Sequence, residues 1–433
     1  MNKQILRLAI PNIISNLSVP LLSSVDTALV GHLEGVYYLG ALAVGGIIFN
    51  FLYWGFGFLR MGTTGLAAQA YGDQNDTETI SIFGRTLGIA VICGVGLIML
   101  QVVIADASFW LIHATPEVEK YAREYFDIRI YAAPATLSLY AVHGWFLGMQ
   151  NAKYPLILTL YVNGVNIVFN VLFIQIFHMK VDGVAYGTVI AQFSGLAVAG
   201  WLFFIKYAEL AKKLKRRLLL EFKALIRIFI VNRDIFIRTL FLIFTFSFFT
   251  AESAIFGNDI LAANSILLQL IGLLAFGIDG FAFASESLVG KYFGAKDPSN
   301  LRATIRYSFR WGLGLGLVFA VAYFLFDEAI LRIFTNKETV IALSMTYMPW
   351  VVVAPLTNSF CFIWDGIFIG ATATRPMRNS MFASTTLVFL PAYFLLRDHI
   401  GNHSLWLALT LFMIMRGITL TWYAKKNIFG ATG

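Results

Sequence analysis

Long apolar runs recur along the whole 433-residue chain, and most are at least as long as a membrane is thick. A helix needs roughly 20 mostly apolar residues to cross the hydrocarbon core of a bilayer. The apolar pattern places such helices at 6–31, 38–70, 81–105, 119–149, 155–178, 183–207, 234–257, 261–293, 302–326, 340–371, 376–397 and 403–424. The chain is therefore predicted to be an all-α integral membrane protein with twelve transmembrane helices.

Composition argues against the main alternatives. Hydrophobic residues make up 58% of the chain and charged residues 13%, whereas soluble proteins carry about 25% charged residues. A membrane β-barrel would show short alternating segments, and these runs are continuous. The net charge of +8 does not indicate nucleic-acid binding, because the basic residues lie at the ends of apolar runs. Cys93 and Cys361 lie inside apolar runs and offer neither a disulfide framework nor a metal site.

One set of connecting segments is richer in lysine and arginine than the other. The basic set includes Lys3, Arg7, Arg85, Lys153, Lys291, Lys296, Arg302, Arg375, Arg378, Lys425 and Lys426. The positive-inside rule then predicts a multi-pass protein of the cytoplasmic (inner) membrane with both termini in the cytoplasm. The first apolar run contains Pro11 and Pro20 and lacks an evident cleavage site, so we expect a retained helix and not a signal peptide.

The two halves of the chain repeat each other. A shift of 222 residues aligns Gly144 with Gly366 and Gly148 with Gly370, among other pairs. Two pseudo-symmetric six-helix lobes are predicted, at 1–207 and 234–433, with a basic cytoplasmic linker at 208–233. Duplicated helical bundles of this kind are typical of transporters. We expect the linker to lie on anionic lipid, although a regulatory docking segment is an alternative.

Asp26 is the sharpest candidate for function, because it lies inside the first predicted helix. Charged groups within a membrane are costly and often functional. A carboxylate there could bind a proton or a cation; the alternative is a capping or solvated acid near the outer end. Pro11 and Pro20 remove backbone hydrogen bonds, which would let this helix bend or simply hold a static kink.

The fifth and sixth helices carry polar residues that suit a small cation. Asn166 and Asn170 are four residues apart and share one helix face, Asn163 precedes them, and Thr188 lies in the sixth helix. Interhelical hydrogen bonding is the alternative use of the same groups.

The second half contains its own acids, Glu252, Asp279, Glu286 and Asp365. These residues could line a cavity for a cationic solute. They could instead pair with arginines inside the bundle, namely Arg60, Arg129, Arg238 or Arg416.

Several local motifs together resemble one transporter family. They are Pro11, Val25-Asp26-Thr27, Val30-Gly31-His32, Leu59-Arg60-Met61-Gly62-Thr63-Thr64-Gly65, Asn163 to Asn170, Gly183 to Gln192, Asp279-Gly280-Phe281-Ala282, Asp365-Gly366, Phe368-Ile369-Gly370-Ala371-Thr372, Arg378-Asn379-Ser380-Met381 and Leu405-Trp406-Leu407-Ala408-Leu409-Thr410. The chain is similar over nearly its whole length to the multidrug and toxic compound extrusion (MATE) family, and within it to the DNA-damage-inducible F (DinF) branch.

The resemblance implies secondary active export of amphipathic, often cationic, compounds, coupled to inward movement of H⁺ or Na⁺. It implies a coupling site at Asp26, Asn166, Asn170 and Thr188, which would also be the sodium site, with Pro11 in a bending helix. Relatives often carry an aspartate where this chain has Asn170, so the site holds one fewer negative charge and sodium coupling is put in doubt.

These observations favour a proton- or sodium-coupled multidrug exporter without an organic cofactor. The alternative is a flippase for lipid-linked precursors or other amphiphiles. No metalloenzyme, serine-nucleophile or phosphate-loop motif indicates an enzyme. The expected partners are small amphipathic substrates and membrane lipid, with no nucleic acid, and the chain is expected to be monomeric.

Overall fold

The computed structural model describes residues 1–430, which contain helices and no β-strand. Twelve long helical segments follow one another along the chain. They are α1 Asn2–Gly31, α2 Val36–Gly72, α3 Asp76–Met99, α4 Pro116–Arg129 continued by Ala133–Gly148, α5 Lys153–Ile176, α6 Val181–Ala211, α7 Phe222–Ile255, α8 Asn258–Gly294, α9 Pro298–Leu325, α10 Glu338–Gly370, α11 Thr374–Ile400 and α12 His403–Phe429. The predicted all-α membrane fold is thereby confirmed.

Eleven of these segments within residues 1–430 are long and apolar enough to cross a membrane. The remaining segment, α4, was predicted as a helix at 119–149, and it is helical apart from a 3-10 turn at Ile130–Ala132 that precedes Pro134. Proline cannot donate a backbone hydrogen bond, which explains the interruption.

The seventh helix begins earlier than predicted, at Phe222 and not at residue 234. The apolar pattern missed its first three turns because they contain Lys223, Arg227 and Arg233. Charged residues are compatible with a helix that extends beyond the hydrocarbon core. Three short helices, Gln101–Leu111, Arg216–Leu219 and Asp327–Phe334, were not predicted.

Contacts within the chain define two compact units. The amino-terminal unit is Ile14–Phe229, and the carboxy-terminal unit is Met1–Ile13 together with the described residues from Ile230 onward. The first turns of α1 therefore pack with the later helices: Gln4 accepts a hydrogen bond from the Tyr292 hydroxyl (3.1 Å), and Asn2 accepts one from the Trp311 indole (3.1 Å).

Aromatic side chains fill much of the core of each unit. In the amino-terminal unit Trp145 packs edge-on against Tyr207 (4.9 Å between ring centroids), and its indole N–H donates to the Thr79 carbonyl (2.9 Å). In the carboxy-terminal unit Trp406 packs against Phe249 (4.9 Å) and donates to the Asn264 amide oxygen (2.9 Å). The indole N–H groups are thus satisfied inside both apolar cores.

The repeated Gly-x-x-x-Gly pairs serve close helix packing. A side chain at Gly144 would strike the backbone of Arg60 in α2, and one at Gly366 would strike the backbone of Ala282 in α8. Glycine allows two helix backbones to approach this closely. The same packing of α4 on α2 and of α10 on α8 agrees with the sequence repeat.

Two helix starts are capped by side chains. Asp297 accepts a hydrogen bond from the Asn300 backbone N–H (3.0 Å) and one from its side-chain amide (2.7 Å) at the start of α9. The two hydrogen bonds hold the pKa of Asp297 below its usual value. The Asn75 side chain caps α3 in the same way, through the Glu78 N–H (2.9 Å).

Candidate functional site

Four predicted site residues meet inside the amino-terminal unit, on three different helices. The Asn170 side-chain N–H donates to Asp26 (2.7 Å), which joins α5 to α1. The same amide nitrogen donates to the Asn166 oxygen (3.1 Å), one turn away on α5. Asn166 in turn donates to the Thr188 hydroxyl (3.1 Å) on α6. The result is a continuous hydrogen-bonded series, Asp26–Asn170–Asn166–Thr188, which we call the polar relay.

The direction of each hydrogen bond in the polar relay is defined. The Thr188 hydroxyl accepts from Asn166 and donates to the Val184 carbonyl (2.9 Å). Asn170 uses its amide nitrogen for two acceptors, and its own oxygen is buried without a hydrogen-bond partner. Asp26 acts only as an acceptor toward Asn170, as an ionised carboxylate does.

Gly187 makes room for Asn170. A Cβ atom at Gly187 would collide with the Asn170 side-chain oxygen and would lie 3.2 Å from its Cγ and 3.3 Å from its backbone nitrogen. Asn166 and Asn170 are both buried, whereas Asp26 and Thr188 are partly exposed. The sequence analysis quoted Gly187 only as part of a motif, because the contact depends on how α6 packs on α5.

Asn163 does not join the polar relay. Its side-chain amide donates instead to the Ser18 hydroxyl (3.0 Å), which ties α5 to the middle of α1. Interhelical hydrogen bonding, the alternative use of these asparagines, therefore accounts for Asn163.

A partly buried arginine lies close enough to Asp26 to interact with it electrostatically. Arg129 lies in α4, donates to the Tyr125 hydroxyl, and stacks on the Phe49 ring (4.7 Å from guanidinium carbon to ring centroid). A cation beside an acceptor carboxylate compensates part of its charge. The sequence indicated Arg129 as an arginine inside the bundle but did not place it near Asp26.

Pro11 and Pro20 lie on either side of the point where α1 passes from one unit to the other. The helix runs without interruption from Asn2 to Gly31. Pro11 falls in the segment that packs with the carboxy-terminal unit, and Pro20 falls in the segment that carries Asp26. The boundary between Ile13 and Ile14 therefore falls between the two prolines.

Asp365 in the carboxy-terminal unit pairs with two arginines. One Asp365 oxygen accepts from Arg238 of α7 and from Arg416 of α12 (2.6 Å to Arg416). All three side chains are buried, so the group carries a net charge of +1. The second Asp365 oxygen and the Arg238 Nε are buried without hydrogen-bond partners. Of the two sequence interpretations, this geometry agrees with pairing to buried arginines.

The other carboxy-terminal acids are separate from this cluster. Glu252 accepts a hydrogen bond from the Tyr393 hydroxyl (2.5 Å), which joins α7 to α11. Asp279 and Glu286 both lie on α8, where Asp279 is partly exposed and Glu286 is buried.

Asp234 is a buried charge that sequence reasoning missed. It accepts from Arg378 of α11 (2.8 Å) and pairs with Arg233 (3.2 Å). The apolar pattern puts residue 234 at the boundary between the predicted linker and the seventh helix. The sequence offered one signal for Asp234, namely an acidic residue within a run of basic ones.

Comparison with known proteins identifies the family. The sequence matches the MatE family model over residues 11–172 and 235–394. It is 38% identical to DNA damage-inducible protein F of Escherichia coli K12, over 97% of this chain and 91% of that protein. The chain belongs to the MatE family.

Further relatives agree with this assignment. A probable multidrug resistance protein NorM of Photorhabdus laumondii is 24% identical over 96% of this chain and 94% of that protein. A crystal structure described as MATE in the bent conformation has a TM-score of 0.91 at 18% identity, covering 99% of this chain and 96% of that chain. Members of the MatE family are multi-pass membrane transporters and not enzymes. The predicted resemblance is confirmed.

Proposed function

We propose that this MatE chain is a secondary active exporter that exchanges amphipathic or cationic organic compounds for protons, or for sodium ions, by alternating access. The observation that carries the proposal is the polar relay, in which Asp26 of α1 is joined through two buried amides to Thr188 of α6. The site would lie in a cytoplasmic (inner) membrane, with both termini in the cytoplasm.

The hydrogen-bond directions indicate how the polar relay would rearrange when Asp26 binds a proton. In the observed arrangement Asn170 donates to Asp26, which suits a carboxylate. A protonated Asp26 needs an acceptor, and the Asn170 oxygen is a buried acceptor without a partner. A half-turn of the Asn170 amide would satisfy the new O–H. The same rotation would withdraw the donor from Asn166, so a hydrogen bond within α5 would change with the protonation of α1.

The same atoms supply hard ligands for a small cation. The carboxylate of Asp26, the amide oxygens of Asn166 and Asn170 and the hydroxyl of Thr188 are oxygen donors of the kind that hard cations prefer. Asp26 is the only carboxylate among them. One negative charge is enough for a proton and gives a weaker sodium site, so we favour proton coupling.

The experiment is transport by the purified full-length chain in liposomes. Efflux of a fluorescent organic cation would be followed under an imposed pH gradient and then under a sodium gradient, for wild type and Asp26→Asn. We expect proton-driven transport that is lost in the variant. Sodium-driven transport would mean that Asn170 completes a cation site. If the rate of transport depends on neither gradient and is the same in the variant as in wild type, coupling through Asp26 is refuted.

One observation favours the second candidate, a flippase for lipid-linked precursors or other amphiphiles. Asp365 and Asp234 each pair with two arginines, so the acids of the carboxy-terminal unit do not leave these clusters negative. A cationic interior suits an anionic headgroup better than a cationic drug. Scrambling of a fluorescent anionic lipid by the same liposomes, without dye efflux, would support this candidate.

A further inference from the structure

The segment between α6 and α7 exposes a group of cations that form no ion pair within residues 1–430. Lys215, Arg216 and Arg217 point into the surroundings, and we call them the basic patch. Two neighbouring lysines are different: Lys212 pairs with Glu209 (2.6 Å), and Lys213 pairs with Asp76. The basic patch therefore keeps three uncompensated positive charges at one short helix, Arg216–Leu219.

The opposite side of this short helix is fixed to α3. The Arg85 side chain is fully buried and donates twice to the Leu218 carbonyl, from Nε (3.0 Å) and from a terminal nitrogen (2.7 Å). The other terminal nitrogen donates to Glu78 (2.9 Å). Leu219 packs closely against Gly84, where an added Cβ would lie 2.6 Å from Leu219 Cδ2. Because these contacts hold the segment, the basic patch has a fixed orientation on the amino-terminal unit.

An exposed apolar stripe begins directly after the basic patch and follows one face of α7. Its members recur at intervals of three, four or seven residues, as one helix face requires. They are Phe222, Ile226, Phe229, Phe236, Leu240 and Phe244. From Phe222 to Phe244 the helix rises about 33 Å. Arg233 shares this face and pairs there with buried Asp234 (3.2 Å).

The exposed apolar face of α7 begins at Phe222. The basic patch precedes Phe222 by five to seven residues and therefore lies beside the start of the apolar stripe. Leu220, which lies between the basic patch and the stripe, is 82% exposed, and Phe222, the first residue of the stripe, is 74% exposed. Two apolar side chains beside three cations form a surface that is complementary to a phosphate group with acyl chains attached.

We propose that the basic patch binds the phosphate group of an anionic phospholipid, with Leu220 and Phe222 against its acyl chains. A soluble acidic partner would match the charge but would leave the two apolar side chains in water. The proposal concerns the surface between α6 and α7 and is independent of the exported substrate.

The test is lipid binding by the purified full-length chain in a neutral detergent, measured by native mass spectrometry. Phosphatidylglycerol, phosphatidylcholine and soluble glycerol phosphate would be titrated separately. The variant Arg216→Gln/Arg217→Gln removes two uncompensated charges. The matched control, Lys212→Gln/Lys213→Gln, removes two charges from the same segment that already have carboxylate partners.

We expect wild type to bind phosphatidylglycerol in preference to phosphatidylcholine. Each uncompensated charge removed should weaken binding about fivefold, and the control should stay near wild type. Added salt should weaken binding to phosphatidylglycerol. Equal loss in both double variants would show a net-charge effect and overturn the proposal. So would equal binding of the two lipids, or binding of glycerol phosphate as tight as that of phosphatidylglycerol.

Discussion

Gly187→Ala tests the polar relay without removing any of its polar groups. The added methyl group would collide with the Asn170 oxygen, so Asn170 must rotate or α6 must move away from α5. Rotation breaks the bonds from Asn170 to Asp26 and to Asn166. A hydrogen bond to a charged group is worth about 1.5–3 kcal/mol and a neutral one about 1 kcal/mol. We therefore expect a loss of roughly 2.5–4 kcal/mol in unfolding free energy, the sum of those two terms.

The assay pairs two measurements on the same purified protein. Unfolding in detergent, followed by tryptophan fluorescence, reports stability, and proton-driven dye efflux from liposomes reports coupling. Efflux should fall about tenfold, which corresponds to a transport barrier raised by about 1.4 kcal/mol. Gly200→Ala is the matched control, since it lies on the same helix and a Cβ there meets nothing within 4 Å.

A double-mutant cycle identifies the contact responsible. In an Asn170→Ala background the colliding oxygen is absent, so Gly187→Ala should cost clearly less than in wild type. Wild-type stability and efflux in Gly187→Ala would refute the reasoning. An equal cost in both backgrounds would also refute it, because the strain would then not involve the Asn170 side chain.

Two further predictions concern buried charges. Asp365→Ala leaves Arg238 and Arg416 without their shared carboxylate, and breaking a buried ion pair this way costs roughly 3–5 kcal/mol of unfolding free energy. Unfolding in detergent should show this loss, and a loss below about 1 kcal/mol would contradict the prediction. Arg85→Ala removes both hydrogen bonds to the Leu218 carbonyl, so the segment should open more often and trypsin should cleave at Arg216 and Arg217 at least tenfold faster. An unchanged cleavage rate would mean that other contacts hold the segment.

The sequence predicted the helices well because hydrophobic length is a local property. Each long run has the length that the membrane requires, so the order and number of helices follow from the pattern. The early start of α7 was missed for the same reason: Lys223, Arg227 and Arg233 lower the local hydropathy although the helix continues through them.

Part of the polar relay could also be predicted. Asn166 and Asn170 share a helix face by spacing alone, and the family resemblance added Asp26 and Thr188. Three features depend on packing between distant segments and left no local signal. They are the space at Gly187, the position of Arg129 beside Asp26, and the clamp from Arg85 to Leu218.

Helix α1 is held by a hydrogen bond near each of its ends, and one of these bonds belongs to the polar relay. Near its start, Gln4 is bonded to Tyr292 (3.1 Å), and toward its other end Asp26 is bonded to Asn170 (2.7 Å). The two anchors are separated by a helix rise of about 33 Å. Pro11 and Pro20 both lie between them, and each removes a backbone hydrogen bond that would otherwise resist bending. We predict that a change of the bond at Asp26, while the one at Gln4 holds, bends α1 at the stretch that contains the two prolines.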